Sequence, residues 1–520
     1  MIRLLSFVPG TIVILLMVLI PLLRIPSLQG QLFGPEESYL MVLAERMANG
    51  NLLYEDAWHA GPPILVWGYY IFYLIFGSYG QLVLNILGCI YIWICALYFN
   101  GIVAQFKPFQ RLAGLPAILF AVLTSIPWYG QEWSSSLAQV LPFLAAFQAI
   151  LSLGDYKVKN FQLMFRIGFL MGLILFLGYK GIILNLALLF AYFIVRSAKF
   201  DELFSLIGGL IIVSVIVVMI LFIQGTLDDF WDIGILYYFD RFRLTDKGLY
   251  SFQPFSNLQS WLYATGVMAF LAMIGFLHFR LRFFSYVAKI RTLEVVMACW
   301  LVAVVSMLLL KWQRIDLNDF VLLAAPMSFY ISKALDFNLT YRFRFFLFLL
   351  MFAVPVYQFW FYYTHDLEQL SKEQLSPLTT GNNYAILNES KPIRNYLEDN
   401  PLEEGIWIMD YQPSLYNWLD AYCASKYLDY RIAFYKIPVL SNIKEPLFTA
   451  LEGDREIFLQ FKDNPPELIL DPRDQFPRLL NRYPLLSRAY ERINLNSYPI
   501  YRRKNLSLSH EIRRNNIPRQ

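Results

Sequence analysis

Two adjacent carboxylates, Glu36 and Glu37, follow Gly34-Pro35 between two apolar runs. Other residues able to do chemistry sit in similar settings. His59 lies in "AWHAGPP", Glu132 in "PWYGQEWSSS" and Lys180 in "LFLGYKGIILN". Lys311, Arg314, Asp316 and Asp319 lie in "LLLKWQRIDLNDFVLLAAP". A carboxylate held at a membrane surface can act as general base for an acceptor hydroxyl or amine, its basicity set by neighbours and partial desolvation. An arginine fork engages two phosphate oxygens at once. A lysine between apolar segments with almost no loop is costly unless it meets a partner or an anion, so Lys180 is a phosphate-binding candidate. His59, in a loop expected to face Glu36, is a candidate for binding an anionic group. Glu132, flanked by Trp128, Tyr129 and Trp133, has the makings of a sugar-binding surface, aromatic faces stacking on pyranose C–H groups.

Each of these residues also has a purely structural reading. Proline at the first helical position and acids in the first turn are good helix-start chemistry. The helix that follows has Leu40, Leu43, Ala44 and Met47 on one face and Glu45, Arg46 and Asn49 opposite, a pattern that suits a membrane interface. A lone histidine is ordinarily structural, and a boundary glutamate is ordinarily solvated. Lys180 can snorkel outward, and 311–319 can be a solvated hairpin with internal ion pairs. Both readings stay open at this stage, site and scaffold alike.

What must position these residues is a membrane frame. Of 520 residues, 57% are hydrophobic, 17% aromatic and 16% charged, against about 25% charge in a soluble domain. Apolar segments fall at about 7–25, 63–77, 81–99, 112–127, 136–153, 162–178, 181–196, 204–225, 259–278, 292–310, 320–336 and 345–364. The first is followed by no small-residue cleavage site and reads as a retained signal-anchor helix. The segment 63–77 reaches ~22 Å as a helix, short of the ~30 Å hydrocarbon core. It opens on Pro62-Pro63 and carries Tyr69, Tyr70 and Tyr73, which suit an interface.

With that segment re-entrant or juxtamembrane and the N-terminus cytoplasmic, the charges segregate. Cytoplasmic loops hold Lys107, Arg111, Lys157, Lys159, Arg166, Arg196, Lys199, Arg280, Arg282, Lys289, Arg291, Lys333, Arg342 and Arg344. The opposite loops hold the acids, as the positive-inside rule demands. This predicts a polytopic α-helical membrane protein of about eleven spans plus juxtamembrane helices over 1–364. The first outer loop, 26–80, then shares one face with 128–135, Lys180, 226–258 and 311–319.

Residues 365–520 are polar and charged and carry no span. "GIWIMD" and "ELILD" read as buried strands, each followed by a helix, predicting a small soluble α/β domain on the outer face with a basic, disordered end. No glycine-rich phosphate loop opens either helix, and nothing points to nucleic acid. Cys89, Cys95, Cys299 and Cys423 suggest no disulfide or metal framework, and the four histidines have no metal-ligand spacing.

These features in this order resemble the GT-C fold glycosyltransferases, among them the protein O-mannosyltransferases and the lipid A aminoarabinose transferase. The resemblance rests on "FGPEESYLMVLAERMANGNLLYEDAWHAGPPILVWGYYIFYLIFG", the aromatic loop around Glu132, Lys180 after a span, and "KWQRIDLNDFVLLAAP". It covers roughly 1–365. It implies a sugar carried on polyprenyl phosphate and transferred, with inversion, to a lipid, glycan or protein acceptor on the outer face of a bacterial inner membrane, in cell-envelope glycan biosynthesis. It further implies Glu36 or Glu37 as the base, with Lys180, Arg314 and His59 on the lipid phosphate; a divalent metal stays open. The chain departs from the family where Pro35 replaces the expected Asp, where Gln139 competes with Glu132 for the second acidic position, and where Asp319-Phe320 replaces His-Tyr. Two rival expectations are a non-catalytic scaffold or lipid-glycan-binding subunit of the same architecture, and a transporter or flippase. Against the last, the ionisable residues cluster at one face and no inverted repeat is visible.

Overall fold

A computed structural model describes residues 9–28, 35–105, 114–125, 131–153, 160–195, 200–238, 254–281, 288–310, 317–335, 341–361, 391–402, 404–409, 415–416, 419–426, 428, 455, 457–461, 464–471, 474, 476–493 and 499–504. Arg314, Lys311 and Asp316, with Trp128 and Tyr129, lie outside them. The chain is mostly helical. In order come α1 (Gly10–Leu23), α2 (Pro35–Ala48), α3 (Pro63–Phe76), α4 (Gly80–Ala104), α5 (Leu115–Thr124), α6 (Ser135–Ser152), α7 (Asn160–Leu177), α8 (Gly181–Val195) and α9 (Phe200–Gln224). They are followed by α10 (Pro254–Leu281), α11 (Ala288–Leu310), α12 (Ala324–Leu335) and α13 (Tyr341–Phe361).

Among the described residues, five helices are long and apolar enough to cross a membrane: Leu82–Ala104, Ser135–Ser152, Asn160–Leu177, Phe200–Gln224 and Thr292–Leu310. The outer face of α9 shows what covers them. Phe204, Ile211, Val215, Met219, Phe222 and Ile223 are all exposed, a stripe that water would not leave bare and hydrocarbon tails fit. This is an integral membrane protein. The helix α3 has 14 residues, about 21 Å of rise, and the chain passes through the 3-10 turn Gly77–Tyr79 directly into α4. In α12 the opposite holds: all twelve residues are buried, with Ser328 and Ser332 bonding back to the carbonyls of Ala324 and Ser328. The ammonium of Lys333 pairs there with Glu294.

Helices α7 and α9 cross at backbone contact. A Cβ on Gly168 would lie 1.9 Å from the Leu206 carbonyl oxygen, and one on Gly209 would lie 2.2 Å from that of Phe165. Small residues at such a crossing let membrane helices gain packing that hydrocarbon cannot supply. Gly168→Val is therefore expected to lower the thermal midpoint in detergent by forcing the pair apart, an overpacking cost of roughly 1–3 kcal/mol. Gly208→Ala is the control, because nothing lies within 4 Å of a Cβ there. An unchanged midpoint in Gly168→Val contradicts the packing.

Beyond α13 come α14 (Lys391–Asp399), β1 (Ile406–Ile408), β2 (Leu468–Leu470), α15 (Phe476–Arg482), α16 (Pro484–Ala489), β3 (Tyr490–Ile493) and β4 (Ile500–Arg503). The four strands form one sheet in the order β1-β2-β4-β3, the first pair parallel and the others antiparallel. The strands expected from "GIWIMD" and "ELILD" are β1 and β2; most of the helix expected near 413–419 lies outside the described residues.

Helix α2 differs from its expected place on the membrane surface. Leu40 and Leu43 are buried, and so is Arg46 of the polar face, because residues 419–426 of the C-terminal segment cover it. On the same side, burial raises the Glu45 carboxyl above its ordinary range; the Tyr73 hydroxyl partly offsets this, the Asp420 charge adds a smaller rise and Arg46 a smaller fall. A carboxyl raised in the fold penalises the folded state wherever it is ionised. That penalty is relieved as pH falls through the raised value towards the unfolded one, near 4.3. Glu45→Gln should accordingly raise the thermal midpoint at neutral pH, and the gain should vanish in acid. A gain independent of pH contradicts this assignment.

Candidate active site at one helix N-terminus

The N-terminus of α6 gathers most of the residues that the sequence marks out. Ser134 caps it, its Oγ accepting from the amide of Leu137 at 3.2 Å. Inside α6, Pro142 removes the donor that the Ala138 carbonyl would otherwise meet. The Tyr91 hydroxyl donates there instead at 2.7 Å and accepts from the Leu141 amide at 3.0 Å. The break in the ladder is thus repaired by a neighbouring helix, and the first turn of α6 stays fixed.

Carboxylates collect on this end because the free amides and the aligned peptide dipoles of a helix N-terminus favour negative charge. Glu36 Oε1 accepts from the Ser135 amide at 2.9 Å. Glu37 is buried, and its Oε2 accepts from the Trp133 amide at 3.4 Å. Glu132 is buried too, its Oε2 accepting from the Glu37 amide at 3.2 Å, so the two helix starts exchange carboxylates. Glu132 therefore does not stand on the open aromatic surface that its neighbours suggest. Trp133 packs edge-on against Tyr91, and its carbonyl accepts from Tyr69 at 2.7 Å. Of the three acids, Glu36 keeps partial exposure.

Lys180 reaches the same turn. Its ammonium lies 2.5 Å from Asp319 Oδ1 and 3.0 Å from Ser136 Oγ, and that hydroxyl lies 3.4 Å from the same carboxylate oxygen. The Asp319 side chain has no exposed surface and that of Lys180 is 11% exposed. Asp319 is thus a partner that orients Lys180, out of reach of a ligand. Gln139, one turn along α6, donates to the carbonyls of Ile174 at 2.8 Å and Gly178 at 2.6 Å, fixing the end of α7 just before Lys180. Glycine at 178 permits the close approach: a Cβ there would lie 2.9 Å from Gln139 Nε2 and 3.2 Å from Ser135 Cβ.

His59 lies against the tyrosines of the same loop and helix. Its Nδ1 lies 3.4 Å from the Tyr39 hydroxyl, and its ring lies beside those of Tyr39 and Tyr54. Tyr39 is three residues beyond Glu36 on α2 and donates to the Trp58 carbonyl at 2.8 Å. The Tyr54 hydroxyl donates to Gly61 O at 2.7 Å, and burial pushes its phenol well above its usual range. It also meets Phe230 edge-on, and Tyr179, next to Lys180, packs on Tyr238. An aromatic wall from the π-helical turn Phe230–Tyr237 and its successor Tyr238 thus adjoins both groups.

Sequence reasoning missed Arg24. It is buried at the end of α1, donates to the Gln131 carbonyl and lies within Coulombic reach of Glu37 and Glu132. Its signal was available: on the expected topology it is a base on the face that other bases avoid. Among the described residues no group of three or more His, Cys, Asp or Glu could hold a metal ion.

The chain is similar along its whole length to a solved structure, that of ArnT from Cupriavidus metallidurans bound to undecaprenyl phosphate. The TM-score is 0.53 at 12% sequence identity, covering 95% of this chain and 98% of that one. The fold is GT-C. A second similar structure, the apo oligosaccharyltransferase of Archaeoglobus fulgidus, covers 95% of this chain and 74% of its own with a TM-score of 0.46 at 12% identity. No family model and no curated protein sequence matches the chain. At such identity the likeness gives the GT-C fold alone, and the chemistry has to be argued from the residues.

Proposed function

We propose that this chain is a membrane glycosyltransferase that moves a sugar, with inversion, from a polyprenyl-phosphate carrier to a lipid, glycan or protein acceptor. The observation that carries the reading is the meeting of Glu36 and Lys180 at adjacent residues of one helix start, Ser135 and Ser136. Glu36, the partly exposed acid, takes the proton of the acceptor hydroxyl or amine as its oxygen or nitrogen attacks the anomeric carbon. The bond from that carbon to the phosphate oxygen breaks, and the lipid phosphate leaves with the electron pair. Lys180 faces that developing charge, aided by the positive end of α6. Arg314 and His59 are assigned to the same phosphate from sequence. Glu37 and Glu132 hold the two helix starts together, and Asp319 aims Lys180. The ArnT neighbour, solved with undecaprenyl phosphate, supports a polyprenyl-phosphate donor.

In the same reading the chain makes about eleven spans, α3 lying as a short re-entrant or juxtamembrane helix. The N-terminus is cytoplasmic, and residues 365–520 form an α/β domain on the outer face of a bacterial inner membrane. One observation favours a non-catalytic scaffold: Glu36 accepts a backbone amide as a plain structural cap would. Purified chain in nanodiscs, given sugar-labelled polyprenyl phosphate and envelope acceptors, separates the two. Release of polyprenyl phosphate with label on the acceptor supports the transferase; binding of the labelled lipid without release supports the scaffold.

A further inference from the structure

Arg46, on the polar side of α2, is 3% exposed and makes four hydrogen bonds. Its Nη1 donates to the carbonyls of Cys423 at 2.6 Å and Ser425 at 2.5 Å. Its Nη2 donates to the Asp56 carbonyl at 3.0 Å and to Asn51 Oδ1 at 3.4 Å. All four acceptors are uncharged, and together they use every proton on the two Nη atoms. The guanidinium carbon also lies 5.9 Å from the centre of the Tyr422 ring, whose hydroxyl accepts from Asn51 at 3.0 Å.

The residues it grips are an added edge of the sheet. The Ile406 amide donates to Tyr422 O at 2.8 Å, and the Ala424 amide donates to Ile406 O at 2.9 Å. Along an extended chain, successive carbonyls point to opposite sides. Those of 423 and 425 therefore turn away from β1, and the two protons of Arg46 Nη1 meet both, while Nη2 reaches the 51–56 side. Arg46 occupies the free edge where another strand would otherwise pair. Beside it, the Trp58 amide donates to the Lys426 carbonyl at 3.3 Å, while the Trp58 carbonyl accepts from Tyr39. A continuous set of bonds thus runs from the C-terminal sheet through Trp58 and Tyr39 to the helix that carries Glu36.

We infer that Arg46 is a positioning residue: its fork locks the edge segment 422–426 onto the 36–61 loop, and the docked segment holds Trp58 and, beside it, His59 in place. The docking rests on geometry alone, and its effect on donor binding rests on the transferase reading, in which His59 meets the lipid phosphate. A lysine keeps the charge but has no fork, and its ammonium cannot serve both chain segments. Charge and fork are therefore separable.

The test is hydrogen exchange on the full chain in nanodiscs, for wild type, Arg46→Lys and Arg46→Met, with transfer kinetics on the same samples. Amides at 422–426 and 52–60 should exchange at least about tenfold faster in both variants, while those of Ser135–Ser152 keep their protection. The KM for the polyprenyl-phosphate donor should rise about tenfold with the acceptor KM unchanged. Wild-type exchange in Arg46→Met overturns the lock, and wild-type exchange in Arg46→Lys overturns the role of the fork. Faster exchange with unaltered donor KM overturns the positioning role. If wild type transfers no sugar, the transferase reading fails and exchange alone decides the docking.

Discussion

Glu36→Gln lowers sugar transfer by ~10²–10⁴-fold, the range that a positioned general base contributes, while the chain keeps its fold. The substitution is informative because the glutamine oxygen can still accept from the Ser135 amide, the bond of 2.9 Å that ties α2 to α6. What disappears is the capacity to take a proton. Thermal unfolding should therefore match wild type, and donor binding should persist. Glu37→Gln provides the contrast. That side chain is buried against the Trp133 amide, so its replacement should act on stability first and on transfer only through Glu36. Full transfer in Glu36→Gln would hand the role to another group and return the Glu36 carboxylate to a structural cap.

The second large effect concerns the pair between Lys180 and Asp319. Asp319→Asn leaves a nearly buried ammonium without its counter-charge, and removing one partner of a buried pair costs roughly 3–5 kcal/mol. Lys180→Met strands the carboxylate in the same way. Replacing both, as Lys180→Met with Asp319→Leu, should restore most of that stability, since apolar pairs of similar size often replace buried ion pairs at little cost. It should not restore transfer, because the cation facing the leaving phosphate is gone. Thermal melts set beside transfer rates read both halves. A double variant that recovers stability and transfer together shows that the pair is structural.

Much of this was legible because topology is a coarse property. Charge segregation alone put the 36–61 loop, Glu132, Lys180 and Asp319 on one face, and they do converge on one helix start. Long-range partners were not legible. Glu36 and Glu37 read as acids for the first turn of their own helix, yet they serve amides at 135 and 133, which no local pattern reveals. Glu132 read as solvated or sugar-facing, and it is consumed by the start of α2. Arg46 read as the wet side of a surface helix, because nothing in the periodicity of 35–48 announces a C-terminal strand edge that covers it. Ser136 and the pinning role of Gln139 went unmarked for the same reason. The strands β3 and β4, "YERI" and "IYRR", lack an apolar run, so no buried-strand signal marks them.

The start of the Ser135–Ser152 helix brings Glu36 and Lys180 to adjacent residues. The decisive measurement is an experimental structure of the full chain with undecaprenyl phosphate. The phosphate is expected beside Lys180 and Ser136, with Glu36 opening onto the same space. A phosphate bound elsewhere, with Lys180 and Asp319 sealed away from it, would rule out the chemistry proposed for this helix start.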